Sequence, residues 1–232
     1  MPRQKTKTIK NKQSRIFFTS DLWLGRNNII DIFDRPFKSI QEMNEKLIEN
    51  WNTTVGDNDL VFVLGNFVYD GTRAQNIIAD LKGTKLFMLS ESDKNILRID
   101  DMYMNDLTLL SDIYMNDAFS DNTEHLIYES FGLITSDEMF EYIEKISEKY
   151  DPNVIILKNS IIDLARYGIT ISLYPMLEWN GKDSGTLNIH GGVLGSSKDL
   201  NKDNRISVRT DFWGFKPIEL SEIQTLVSQL KN

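Results

Sequence analysis

The sequence has no cysteine, only two histidines, and no long apolar run. Without thiols, disulfides, thiolate zinc sites and cysteine nucleophiles are excluded, which suits a reducing compartment. No apolar stretch approaches the roughly 18 residues of a membrane span, and the polar, basic start lacks the hydrophobic region of a signal peptide. The expectation is a soluble, cytoplasmic protein. At 232 residues the chain is long enough to bury one large core without staples.

The N-terminal stretch is rich in base and lacks acid. Residues 1–15 carry Arg3, Lys5, Lys7, Lys10, Lys12 and Arg15 with no carboxylate, so the net charge of -8 conceals a strongly acidic remainder. Arm and body attract opposite partners. Such an arm is either a disordered solubilising tail or the element that holds an acidic partner, protein or nucleic acid.

What is present reads as alternating strands and helices. Residues 15–20 are a β-rich run ending at Asp21, which places a carboxylate at the end of a buried strand. Ser39 and Glu42 form a capping box for an amphipathic helix over 39–52, with Ile40, Met43, Leu47 and Trp51 on one face. "DLVFVLG" (59–65) has the continuous apolar character of a strand covered on both faces. Residues 74–82 read as a helix stopped by Gly83, and "KLFMLS" (85–90) as the next strand. The β-α-β-α-β order predicts a layered α/β fold. Further β-type runs follow at 153–157, 168–175, 186–192 and 205–213, and Ser221 with Gln224 caps a last helix to about Leu230.

The texture changes between 98 and 150. Residues 100–150 hold 13 acidic residues against Lys145 and Lys149, interleaved with Met102, Tyr103, Met104, Tyr114, Met115 and Phe119. A capping box at Thr135 and Glu138 starts a helix with Met139, Ile143, Ile146 and Tyr150 on one face. The stretch reads as an acidic helical insertion, either packed on its own domain or offered to a partner. The organisation is therefore a basic arm (1–15), a domain built from 16–97 and 151–232, and an insertion (98–150).

Successive strand ends carry Asp21-Leu22-Trp23, Gly65-Asn66, Ser90-Glu91-Ser92-Asp93, Ser172-Leu173-Tyr174-Pro175 and Gly191-Gly192-Val193-Leu194. This series resembles the calcineurin-like metallophosphoesterase family, in its small bacterial and phage branch, whose motifs run D-x-H, G-D, G-N-H-D, S-H-x-P and G-H-x-H. Segments 28–55, 173–181 and 210–223 resemble that branch too. The resemblance implies a four-layer α/β/β/α sandwich, two metal ions at the strand ends, and hydrolysis of phosphoesters by a metal-bound water.

It also implies that this site is degenerate. Asp21 keeps the first ligand, but Trp23 stands in a histidine's place, Asn66 in that of the bridging aspartate, and Glu91 in that of a metal-binding asparagine. Ser92 replaces the catalytic histidine beside a retained Asp93. Leu173, Gly192 and Leu194 occupy the places of three further histidine ligands. Five histidines are wanted and the chain has His125 and His190, neither at a ligand position. The expected protein is a pseudoenzyme without cofactor or metal.

Its expected role is a binding or structural module in a larger, possibly phage-encoded, assembly, in the host cytoplasm or a virion. Partners would be proteins held by the arm and the insertion, or further copies of the chain; nucleic acid could be held only by the arm. Trp23 is expected to fill vacated volume with its N–H on an acceptor. Arg26 is expected either to neutralise Asp21, Glu91 or Asp93 or to lie on the surface. The alternative function keeps a residual oxygen-ligand Mg or Ca site on Asp21, Asn66, Glu91 and Asp93, or phosphate or nucleotide binding by Arg26 and Lys94.

Overall fold

A computed structural model describes residues 14–69, 77–90, 92–93, 154–157, 161–192 and 204–230. Apolar strands too hydrophobic to face water on either side order this chain. β1 (Ile16–Thr19), β2 (Leu60–Leu64), β3 (Thr84–Met88) and β4 (Val154–Leu157) run parallel. The two-residue β9 (Ile218–Glu219) closes their sheet antiparallel to β1, giving the order β4-β3-β2-β1-β9. A second sheet has the order β5 (Ile161–Leu164), β6 (Ile169–Ser172), β7 (Leu187–His190), β8 (Arg205–Ser207), with only β5 antiparallel.

Alternation sorts the side chains into two cores. Phe18, Phe62, Leu86 and Met88 pack with Ile162, Ile171, Ile189 and Ile206 of the second sheet, so the two sheets lie face to face. Phe18 and Phe62 are partners in register, and their rings stack with centroids 5.3 Å apart. The opposite side of the first sheet, with Phe17, Val61 and Phe87, is buried by Ile29 of α1 (Ile29–Phe33) and by Met43, Leu47 and Trp51 of α2 (Ile40–Thr54). Among the described residues, helix, sheet and sheet make three layers. α3 (Leu220–Leu230) adds Ile223 beside β9.

Ser39 caps α2 as its spacing predicts, accepting from Glu42 N–H at 3.1 Å. Glu42 reaches back to the N–H of Lys38 at 2.8 Å, one residue before the usual target. Trp51, fully buried, donates its indole N–H to Lys82 O, pinning α2 to the turn before β3. That turn needs Gly83: its φ is +76°, and a Cβ there would lie 2.7 Å from Asp59 O.

Several expectations need adjustment. α3 starts at Leu220, so Ser221 sits inside its first turn and donates to Glu219 rather than capping. The 205–213 run is strand only to Ser207; residues 210–213 form a 3-10 turn. Of the helix predicted over 74–82, residues 77–82 are described: 77–80 are helical, and the helix ends there, short of Leu81 and Lys82. The outer face of the second sheet is covered by the irregular loop 173–186, where Met176 N–H donates to Asn188 and Asn180 to Asp163, and no α-helix covers it among the described residues. The acidic insertion, its predicted helix and His125 lie outside the described residues, as do arm residues 1–13. No helix among the described residues is long and apolar enough to cross a membrane.

Candidate functional site

The carboxyl ends of β1, β2 and β3 converge with the loop after β7, and the backbone there is bent sharply. Asp21, Trp23 and Asn66 have φ of 57°, 55° and 55°, the left-handed region that costs a non-glycine residue about 1–2 kcal/mol. Their conformation is held by a ladder that continues past the strands: Asp21 N–H to Gly65 O, Trp23 N–H to Asn66 O and Leu24 N–H to Phe67 O, at 2.8–3.1 Å. Strain collected at one strand-end cluster is a mark of a place selected for something other than stability.

Asp21 is buried, and three donors meet its carboxylate. Asn66 Nδ2 donates to Oδ1 at 2.8 Å; Ser20 Oγ and Gly192 N–H donate to Oδ2 at 2.8 and 3.1 Å. Burial pushes its carboxyl above the ordinary range, and these hydrogen bonds, with the charge of Arg209, act against that rise. Gly192 supplies its N–H from a left-handed turn where any Cβ would strike Leu173 O and the Tyr174 ring, at 2.7 and 2.6 Å.

Asn66 is the centre of the network. Its Oδ1 accepts from Ser92 Oγ at 2.7 Å and lies 2.9 Å from Ser90 Oγ. The orientation follows from charge: reversing the amide would set two oxygens 2.8 Å apart across Asp21. Ser90 has one hydroxyl proton, and the Asp93 carboxylate, at 2.6 Å, is the strongest acceptor within its reach. Asp93 also takes the N–H groups of Asn66, Phe67 and Ser90 at 2.6–3.0 Å, while burial pushes its own carboxyl upward.

Beneath this network lies a buried ion cluster that sequence reasoning missed. Arg35 clasps Asp211 with two N–H groups, both at 2.9 Å, and Arg209 Nε donates to the same carboxylate at 2.9 Å. Arg35 also donates to the backbone carbonyls of Asp21 and Leu22 at 2.6 and 2.9 Å, holding the strained turn from below. Burial would raise Asp211, but both guanidiniums outweigh it and hold its carboxyl below the ordinary range. The available signal was an arginine set among aromatics, in "FDRPF" (33–37) and "RTDFWGF" (209–215).

The other expected residues separate. Trp23 is 8% exposed and packed with Leu22, Phe67 and the helices, as volume filling requires, but its Nε1 finds no acceptor among the described residues. Arg26 does not neutralise Asp21 or Asp93: its Nε donates to Asn28 at 3.0 Å, and its guanidinium stacks 4.4 Å from the Trp23 centroid and 5.4 Å from that of Tyr69. Arg15, expected to be a binding residue of the arm, belongs to the fold, joined to Asp59 at 2.6 Å and to Glu219 at 3.6 Å. Leu173 is half-buried against the inter-sheet core beside Gly65. His190 places Nδ1 against Gly191 O at 3.1 Å, and burial holds its imidazole below the ordinary range. Arg3, Lys5, Lys7, Lys10, Lys12, Glu91, Lys94 and Leu194 lie outside the described residues.

A pair of divalent ions needs several carboxylate and imidazole ligands and a carboxylate bridge between ions about 3.5–4 Å apart. The residues here do not fit. Asn66, at the position that the sequence resemblance gives to the bridging carboxylate, presents an amide N–H to Asp21, Leu173 and Gly192 offer no side-chain lone pair, and among the described residues no three of His, Cys, Asp and Glu gather as ligands.

No protein-family model matches the chain. Over 83 residues it is 35% identical to an uncharacterized protein of Methanocaldococcus jannaschii, MJ1445; the match covers 34% of this chain and about half, 47%, of that relative's length. Among solved structures, the protein of unknown function AQ665 from Aquifex aeolicus is similar, with a TM-score of 0.51 at 16% identity, over 92% of this chain and 99% of the other. At that identity the likeness is one of fold, and it places this chain in a mixed α/β class with two largely parallel sheets.

Proposed function

We propose that this chain is a non-catalytic protein with a metallophosphoesterase-like α/β/β/α sandwich, serving as a binding or structural module in a larger protein assembly. One observation carries the reading: the Asn66 carboxamide bridges Asp21 on one side and Ser92 on the other, at 2.8 and 2.7 Å. In the resembling family a carboxylate at this position would bridge two cations. An amide there satisfies the neighbouring carboxylate directly, with no cation needed. Among the described residues no acid, base or nucleophile stands free for such a reaction: Asp21 and Asp93 accept hydrogen bonds on both oxygens, Ser90 donates to Asp93, and Ser92 donates to the neutral Asn66 amide.

Protein partners suit the charge better than nucleic acid, because the body beyond the arm is strongly acidic and repels phosphates. The basic arm and the acidic 98–150 segment are the proposed contact elements, and the phage setting rests on the sequence resemblance alone. Native mass spectrometry of the protein taken gently from its source, with a phosphodiester hydrolysis assay under added manganese, tests the reading. The expected result is a metal-free chain within a defined complex and no hydrolysis. Bound metal on a free monomer that hydrolyses the diester would overturn it.

A further inference from the structure

We propose that Arg26, stacked on Trp23 and Tyr69, anchors a protein-binding surface that receives a carboxylate of a partner protein. The inference rests on the binding-module reading above and names the chemistry that such a module recognises. It starts from charge. The chain has 34 acidic and 26 basic residues, yet among the described residues Arg26 forms no ion pair. The one hydrogen bond of its guanidinium, Nε to Asn28 at 3.0 Å, leaves both terminal nitrogens without an acceptor among the described residues.

The group is nevertheless held in place. Its guanidinium lies 4.4 Å from the Trp23 ring centroid and 5.4 Å from that of Tyr69. Trp23 is core, its backbone N–H on Asn66 O at 2.8 Å, and the Tyr69 backbone N–H is bonded to Leu24 O at 2.8 Å. Both platforms therefore belong to the strand-end ladder. Stacking occupies the face of a guanidinium and leaves its edge, whose paired N–H groups match a carboxylate bidentately. A cation fixed before its partner arrives loses little rotamer entropy on binding.

The surroundings resemble an interface more than a solvated flank. Tyr69 is 55% exposed, and Tyr174, packed against Gly192 at the same strand ends, is 56% exposed. Tyr, Trp and Arg are the residues that dominate binding energy at protein interfaces. Nucleic acid would call for a stripe of cations, and among the described residues this end of the fold presents Arg26 beside buried, compensated charges.

The test uses the full chain labelled with nitrogen-15 and a hexaglutamate peptide as the carboxylate probe. The readout is the set of four tryptophan indole N–H resonances, with Trp23 identified by Trp23→Phe or, if that variant does not fold, by sequential assignment. The Trp23 signal is expected to move saturably, and the midpoint to rise roughly tenfold or more in Arg26→Gln. Arg26→Lys, which keeps the charge but not the planar fork, is expected to weaken binding nearly as much. An unmoved Trp23 signal, or one that titrates alike in Arg26→Gln, overturns the anchor. If a single-stranded oligonucleotide moves that signal at lower concentration than hexaglutamate, the partner class is wrong. A diester hydrolysis assay on the same sample separates the two claims: turnover would remove the non-catalytic reading, whereas loss of the Arg26 effect without turnover would remove only this inference.

Discussion

Asn66 Nδ2 lies 2.8 Å from Asp21 Oδ1, joining the ends of β2 and β1 by one amide-to-carboxylate hydrogen bond. Asn66→Asp would put a second carboxylate where the donor now is, and two carboxylates that close repel each other when both are ionised, raising the pKa of one of them. The variant is expected to be about 1–3 kcal/mol less stable at pH 8. Part of the loss should return near pH 5, where one proton is shared between the pair. Urea denaturation at both pH values checks this; equal stability of the two proteins at pH 8 would show that the amide bridge contributes nothing.

The Arg35–Asp211 pair makes the opposite acid prediction. Because the folded pKa of Asp211 lies below its unfolded value, its contribution is fully present above about pH 4 and fades as pH falls through the folded value. Asp211→Asn leaves two buried guanidiniums facing a neutral amide, and removing one partner of a buried pair costs about 3–5 kcal/mol. We expect that loss at pH 7 and a flatter stability profile between pH 4 and 2 than in the wild type. A profile parallel to the wild type would mean that Asp211 does not titrate in this window.

The core was legible in the sequence because burial on both faces leaves continuous apolar runs: 59–65 and 85–90 became β2 and β3, and the spacing of Met43, Leu47 and Trp51 marked the buried face of α2. β9, of two residues, is too short to leave a period and is ordered by its neighbour β1, while β5 was not separated from the runs around it. At the site, strand-end position identified Asp21, Asn66 and Asp93. The hydrogen bonds that join these residues were not legible, since Asn66, Ser90 and Ser92 gain their meaning only from each other. Arg35 was missed for a related reason: its partner Asp211 is 176 residues away, and no local pattern links the two, whereas Arg209 lies only two residues from Asp211. Arg15 was grouped with the arm by charge, whereas Asp59, 44 residues away, holds it in the fold.

The donor-saturated carboxylates make a further claim on hard cations. Magnesium and calcium seek oxygen ligands, but Asp21 and Asp93 already accept hydrogen bonds on both oxygens, and a cation would have to displace them. Millimolar magnesium or calcium is expected to leave the melting temperature within a degree of the metal-free value. A rise of several degrees, saturating with concentration and lost in Asp21→Asn, would instead establish an oxygen-ligand site by mass action.

Lys85 supplies a prediction in alkali. It is buried on β3, donates to Leu81 O at 2.8 Å, and burial lowers its pKa to about 8. Below that value the folded chain must carry a buried ammonium. The unfolded chain holds the same proton up to its ordinary value near 10.5. Between these limits the unfolded state binds more protons than the folded one, so this residue's contribution rises with pH and is lost as pH falls through about 8. Across the window the gain is roughly 3 kcal/mol, at about 1.4 kcal/mol for each pH unit. Lys85→Met keeps the aliphatic volume and removes the titration, so the urea midpoint of wild type relative to the variant should climb between pH 7.5 and 10. Other groups that titrate in this range are common to both proteins and cancel in the difference. A difference independent of pH would mean that the ammonium reaches water and Lys85 is not desolvated.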